Sequence, residues 1–240
     1  MPTLLDRLVS LVAPSVCLAC REPEPGGAAV CDPCRAWLVP LRDPRCGRCG
    51  TPAGAPVRRC SECRRRALAF RSAWAPFAYE ATARRLVAGL KLRGATRAAA
   101  FMSAEIGSRA PPGLLSGVLV PVPAHPARRR RTGMNQAACL AAALGRRVGL
   151  PVAPVLVRAR GSTPQVGLAR RERLANARGS VRARRAPPGG RLVLVDDVYT
   201  TGATLDACAG ALLEGGADEV VAVTFARALR QPLGYCGKGG

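Results

Sequence analysis

The sequence predicts an α/β protein, a parallel sheet with flanking helices, preceded by a small cysteine-built module. Three observations carry that prediction. In LVLVDDVYTTGAT (Leu192–Thr204), four apolar residues precede an acidic pair and a loop of hydroxyls and glycine, and a helical apolar stripe follows at Leu205, Cys208 and Leu212. Strands that are apolar without alternation belong to parallel sheets covered on both faces. Eight of the eleven cysteines fall before residue 64, as four CxxC pairs. The length of 240 residues holds one full α/β domain and a small attachment, and a hydrophobic content of 48% supplies its core.

Aromatic residues make up only 4%, so that core is expected to be Ala, Val and Leu. The formal charge is +22 and is nearly all arginine, since the only lysines are Lys91 and Lys238. A GC-rich codon bias accounts for Arg in place of Lys but not for the shortage of acids. Such a field favours polyanions: nucleic acid, nucleotide phosphates or an acidic partner. No stretch approaches the length of a membrane span. The opening MPTLLDRLVSLVAP has a helical stripe at Leu4, Leu5, Leu8, Leu11 and Val12. Asp6 and Arg7 interrupt it and no basic segment precedes it, so it reads as a short packed helix rather than a signal peptide. With metal-type cysteine spacing, a cytoplasmic location is expected.

The four pairs are Cys17/Cys20, Cys31/Cys34, Cys46/Cys49 and Cys60/Cys63, and each cysteine of the second half lies 29 positions after its counterpart. This is a duplicated CxxC-x10-CxxC unit. One CxxC knuckle presents two thiolates to a metal, and two knuckles complete a tetrahedral four-cysteine site. Two structural zinc ions are therefore expected in a module covering residues 1–69. Duplication favours each unit closing on itself, and a cross-braced pairing stays open. Four thiolates leave no position free for catalysis.

Arg64–Arg66 end this module, and a domain over 70–240 begins. RSAWAPFAYE reads as a strand with Trp74 and Phe77 partly buried, followed by a helix from Ala81 to Leu92 with Leu86, Val87 and Leu90 inward. A second helix spans Thr96–Ile106. The strand Gly117–Val122 then delivers a loop of Pro123, Ala124 and His125, with Arg128, Arg129, Arg130 and Arg131 beyond it, and an Ala-rich helix ending near Gly149. A small-residue loop and arginines between strand and helix form an anion-binding arrangement. His125, the only histidine, reads as a loop or packing residue. After a strand at Val155–Val157 comes the basic stretch 158–190, either a lid or partly disordered, with Gln165, Arg170, Arg173 and Asn176. The last strand is Val220–Phe225, and the tail from Arg227 onward has no pattern and is expected to fray. Cys139 and Cys208 read as small core residues, and Cys236 pairs with nothing evident.

The organising stretch makes a phosphate-sugar site. Backbone N–H groups at the helix start accept a phosphate, Gly202 allows close approach, and Thr200, Thr201 and Thr204 add hydroxyls. Asp196 and Asp197 can hold ribose hydroxyls directly or through Mg²⁺, and the motif itself contains no Lys or Arg to pair them. Two adjacent Asp plus TTGAT exceed what helix capping requires. The stretch resembles the phosphoribosyl-pyrophosphate (PRPP) motif of type I phosphoribosyltransferases, with Ala203 where many carry Ser or Thr.

The whole chain resembles the ComF family. The resemblance rests on the CxxC repeats of a double zinc ribbon, LKLRG (Leu90–Gly94), VPVPAHPARRRRTGMNQA (Val120–Ala137), TPQVGLARRERLANARGS (Thr163–Ser180) and the VLVDDVYTTGAT motif. Leu92 and Met134 depart from positions that are commonly aromatic. The resemblance implies a type I phosphoribosyltransferase fold with a flexible hood at 158–190, and a role in DNA uptake during natural transformation beside other competence and DNA-processing proteins. Two functions follow from it. One is a binding protein for single-stranded DNA that keeps a PRPP or ribose-5-phosphate pocket. With few aromatics for stacking, its DNA binding would be backbone-dominated and salt-sensitive. The other is a transferase moving the 5-phosphoribosyl group from PRPP to an acceptor. Its pyrophosphate and Mg²⁺ would lie at Pro123, Ala124 and His125, with Arg128–Arg131 or Arg170 neutralising the leaving group. Asp196, Asp197 and Arg170 are then the catalytic candidates.

Overall fold

The computed structural model describes residues 15–90, 95–124, 126, 133–158 and 179–229. The N-terminal stripe, His125, Arg128–Arg131, the basic stretch from 159 to 178 with Gln165, Arg170, Arg173 and Asn176, and Cys236 lie outside the described residues. In chain order the elements are α1 (Asp32–Ala36), β1 (Ser72–Trp74), β2 (Phe77–Ala78), α2 (Ala81–Gly89), α3 (Ala95–Arg109), β3 (Val118–Pro121), α4 (Gln136–Val148), β4 (Leu156–Arg158), β5 (Val181–Ala183), β6 (Arg191–Tyr199), α5 (Ala203–Glu214) and β7 (Glu219–Arg227). The main sheet has five strands in the order β1-β7-β6-β3, with β2 also on β7, and every pair is parallel. Among the described residues no helix is long and apolar enough to cross a membrane.

β6 and β7 lie in the middle of the sheet, and nearly every residue of β7 is buried, in keeping with the mostly apolar run EVVAVTFAR. Alternate side chains feed two cores. Val193, Val195, Val221, Val223 and Phe225 face α2, α3 and α4, while Leu192, Leu194, Val220 and Ala222 face α5. The Ala-rich α4 packs closely on α3 and on β6, because small side chains let helix and sheet approach. Asn135 caps α4 by accepting from Ala137 N at 3.2 Å, and Gly149 ends it at φ 69°.

Several sequence expectations are corrected. RSAWAPFAYE is not one strand but two short pieces on β7, split at Ala75-Pro76, where proline has no N–H for the ladder. Phe77 is fully buried at 2% exposure, against Phe225 at 5.4 Å between centroids. The basic stretch contains a strand, β5, pairing antiparallel with β4 through Leu156↔Ala183 and Arg158↔Val181. The acidic pair does not follow the organising strand but lies inside it. β3 leaves β6 after Pro121↔Val195, while β7 stays paired through Asp196↔Thr224, Val198↔Ala226 and Tyr199↔Arg227. Arg227 is consequently not a fraying tail residue: it closes β7 and is 2% exposed.

Candidate functional site

The early end of β3 opens a cleft at the carboxyl ends of the strands, where open α/β sheets bind ligands. The cleft has a volume of about 200 Å³ and is lined by Val122, Pro123, Ala124, Asn135, Gln136, Ala137, Arg158, Asp196, Asp197 and Thr204. Asp197 is 8% exposed, and its N–H donates to Asp196 Oδ1 at 2.9 Å, which holds the first carboxylate against its own backbone. Asn135 Nδ2 donates to Val122 O at 3.0 Å, so the start of α4 is tied to the end of β3. Arg158, the last residue of β4, donates from Nε to Pro123 O and from Nη1 to Ser180 Oγ, both at 3.3 Å. The carboxylates thus share their cleft with a cation that arrives from another sheet, although their own motif has none.

Of the sequence-predicted residues, Asp196, Asp197, Thr204, Pro123 and Ala124 come together in this cleft. Thr200 and Thr201 are exposed on the adjoining loop, Gly202 is buried and Ala203 is half-buried. Thr201 Oγ1 accepts from Ala203 N at 3.3 Å, so its hydroxyl is partly engaged in shaping the turn. Gly202 precedes α5 at φ +75°, and a methyl there would overlap the Tyr199 hydroxyl, so both backbone and space require glycine. The opening N–H groups of α5 have no intrahelical acceptor and carry the positive end of the helix dipole. Asn135, Gln136 and Arg158 were missed as site residues. An N-cap Asn before an Ala-rich helix was a legible signal for the first of these. Nothing in the sequence pointed Arg158 at the cleft, because that depends on how β4 lies against β3.

The eight N-terminal cysteines form two groups, Cys17/Cys20/Cys31/Cys34 and Cys46/Cys49/Cys60/Cys63, with the sulfurs of each group within 4.8 Å of one another. Each duplicated unit closes on itself, and the cross-braced pairing is excluded. Zn–S bonds of about 2.3 Å in a tetrahedron place sulfurs about 3.8 Å apart. Cys20–Cys31 stands at 3.8 Å, Cys46–Cys63 at 3.6 Å, Cys49–Cys60 at 3.5 Å and Cys60–Cys63 at 3.8 Å. Backbone N–H groups turn inward as well: Cys31 N to Cys17 Sγ at 3.4 Å and Cys60 N to Cys46 Sγ at 3.2 Å. Burial opposes ionisation of Cys17, but N–H groups of Cys20, Cys31 and Ala19 outweigh it and bring the thiol down to about 6. Burial and the neighbouring sulfurs push Cys34 up to about 12. Cys46 is brought to about 7 by the same balance, burial against the N–H groups of Cys49, Arg48 and Cys60. Four crowded thiols share protons in this way until a divalent cation replaces them, so donor set and spacing fit zinc.

Comparison with known proteins agrees with both halves. Residues 8–64 match the double zinc ribbon domain, and residues 134–233 match the phosphoribosyl transferase domain. The DNA utilization protein YhgH of Salmonella typhi is 30% identical over 227 residues, covering 91% of this chain and all of the relative. Competence protein ComFC of Bacillus subtilis is 32% identical over 195 residues, covering 78% of this chain and 79% of the relative. Among solved structures, the glutamine PRPP amidotransferase of B. subtilis overlaps 52% of this chain and 25% of its own, at 21% identity and a TM-score of 0.37. Orotate phosphoribosyltransferase from Aeropyrum pernix overlaps 58% of this chain and 62% of its own, at 22% identity and a TM-score of 0.33. A duplicated cysteine module ahead of a parallel sheet with this cleft, matched along nearly its whole length by YhgH, places the chain in the ComF family, with a double zinc ribbon preceding a phosphoribosyltransferase-like domain.

Proposed function

We propose that the cleft binds PRPP or a related ribose-5-phosphate compound, and that the protein uses it while handling single-stranded DNA. One observation carries this reading: two carboxylates, the opening of a helix and a small-residue loop converge on one cleft at the carboxyl edge of the sheet. The 5-phosphate would lie on the N–H groups of Thr200–Thr204, and the ribose hydroxyls on Asp196 and Asp197. Mg²⁺, when bound with the pyrophosphate, neutralises part of its charge, and Asp196 and Asp197 are the oxygen donors that would hold it. Arg158 and the Pro123–Ala124 loop would face the pyrophosphate.

DNA enters through the names of the relatives, DNA utilization and competence proteins, and through charge. Arg58, Arg59, Arg64 and Arg65 on the second ribbon unit and Arg182, Arg184 and Arg185 at β5 are exposed, giving phosphates anchors that read no base. Titration of the full chain with PRPP and Mg²⁺ in a calorimeter tests the ligand. Binding should raise stability by about 2.7 kcal/mol at roughly 100 times Kd. Asp196→Asn with Asp197→Asn should remove that gain and leave the fold. A wild type with neither heat of binding nor thermal shift sinks the reading. For DNA, log K should fall steeply with log salt, and a flat response removes the electrostatic contact.

A further inference from the structure

Arg227 sits at 2% exposure, where a guanidinium is rarely found without partners. Its Nη1 donates to Cys49 O at 2.5 Å, and its Nη2 reaches Glu62 Oε2 at 3.2 Å and Cys49 Sγ at 3.7 Å. The same guanidinium lies over the Tyr199 ring, 4.1 Å from its centroid. Tyr199 in turn fills the space beside Gly202. A second link starts just past the last cysteine of the module. Arg66, whose N–H donates to Cys63 O at 3.0 Å, donates from Nη1 to Thr201 O at 2.7 Å. A third runs from Ala69 N to Asp206 Oδ1 at 2.6 Å, in the first turn of α5. The first unit is linked elsewhere, to α3, where Arg97 donates to Ala28 O at 2.8 Å and Glu105 pairs with Arg35 at 2.8 Å.

We propose that the second cysteine cluster, when it holds its metal, positions the loop Tyr199–Thr204 through Arg227 and Arg66, and that the first cluster has no such effect. A metal bound by four thiolates is net anionic, so a filled second cluster gives buried Arg227 a counter-charge at Cys49 beside Glu62. When the cluster empties, nothing pins the knuckle that carries the Cys49 carbonyl and sulfur, and the contacts of Arg227 with both loosen. The guanidinium then moves toward water and leaves Tyr199 without the face it rests on. Arg66 lets go of Thr201 as the turn after Cys60 loosens. Arg227 and Arg66 are positioning residues. The consequence for ligand affinity rests on the ribose-phosphate reading above, whereas the effect on the loop does not. Linkage makes the coupling mutual, so PRPP should tighten metal binding at the second cluster by the factor that the metal tightens PRPP.

The test uses the full chain with Cys20→Ser, Cys49→Ser, Arg227→Gln and Arg227→Lys. Zinc is counted by elemental analysis, and hydrogen–deuterium exchange is followed over residues 196–206 without ligand. Each cysteine variant should fall from two zinc ions to one, as expected for separate clusters. Loop exchange should quicken about tenfold in Cys49→Ser and stay at the wild-type rate in Cys20→Ser. Arg227→Gln should keep both metals and quicken exchange, with partial rescue in Arg227→Lys. Unchanged exchange in Cys49→Ser, or equal quickening in Cys20→Ser, overturns the proposal. If Cys49→Ser fails to fold, half-buried Arg66→Gln decides: faster exchange at 200–203 with both metals kept supports it, and no change overturns it. In a separate arm, PRPP with Mg²⁺ should slow zinc release to a chromogenic chelator from one cluster only. A wild type that binds no PRPP removes the ligand reading alone, because the exchange measurements run without it.

Discussion

The cysteine unit around Cys17–Cys34 and the unit around Cys46–Cys63 repeat the same backbone bonds 29 positions apart. Cys17 N donates to Glu22 O at 2.9 Å as Cys46 N does to Thr51 O at 2.8 Å, and Val16↔Pro23 recurs as Arg45↔Pro52. Both knuckles need a residue at positive φ, and the two units fill that position differently. Arg21 holds it at φ 70° in the first unit, exposed, whereas Gly50 holds it at φ 71° in the second, buried. A methyl at Gly50 would overlap Ala73 O of β1, so the second unit is pressed onto the sheet at its knuckle. The units also join opposite faces. Cys17 and Cys34 pack with the α3–α4 core, while Cys46, Cys49 and Cys63 pack with Phe70, Tyr199 and α5. Duplication has kept what the metal requires, and the surroundings have diverged to give one unit a helix to cover and the other a loop to hold.

Three experiments would break or sharpen that contrast. The largest effect is expected from stripping both metals, because structural zinc contributes on the order of 10 kcal/mol or more to folding its ligand set. Residues 15–69 should then lose exchange protection, and the damage should reach further on the second unit's side, into Phe70 and Tyr199. Equal spread from both units in exchange maps would erase the contrast. Next comes Gly50→Ala, which meets both positive φ and Ala73 O, and should cost about 3 kcal/mol or more by denaturant melts. The matching change in the first unit, Arg21→Gly, relieves a left-handed non-glycine residue and should stabilise by up to about 1 kcal/mol. If both changes destabilise alike, the units are equally embedded. The smallest effect is Glu105→Gln, which removes the partner of Arg35 at 2.8 Å and Arg109 at 2.9 Å. Both arginines are about half exposed, so the loss should be about 1 kcal/mol, with exchange in the loop at 200–204 unchanged.

Local chemistry was sufficient for much of this architecture. Cysteine spacing alone specifies eight thiolates for two metals, because the geometry of each knuckle is set within a few residues, while the pairing of knuckles was decided by the fold. The apolar run at Leu192–Val195, the helical stripe after it and the Gly149 stop are equally local, and each stands in the structure where the pattern put it. The acidic pair and Thr204 stand together at the cleft for the same reason: they sit on one strand and one helix start. What the sequence by itself left open depended on distant neighbours. Whether β6 ends before or after Asp196 was decided by β3 stopping at Pro121 while β7 continues to Arg227. Arg158 and Asn135 reach the cleft only because β4 and α4 fold against the end of β3. Arg227 read as tail because a single arginine beyond an apolar strand has no pattern to declare its burial. Its burial was decided by Cys49, Glu62 and Tyr199, which stand far from it in the chain and meet it only in the folded molecule, since a buried charge is tolerable only where partners converge on it.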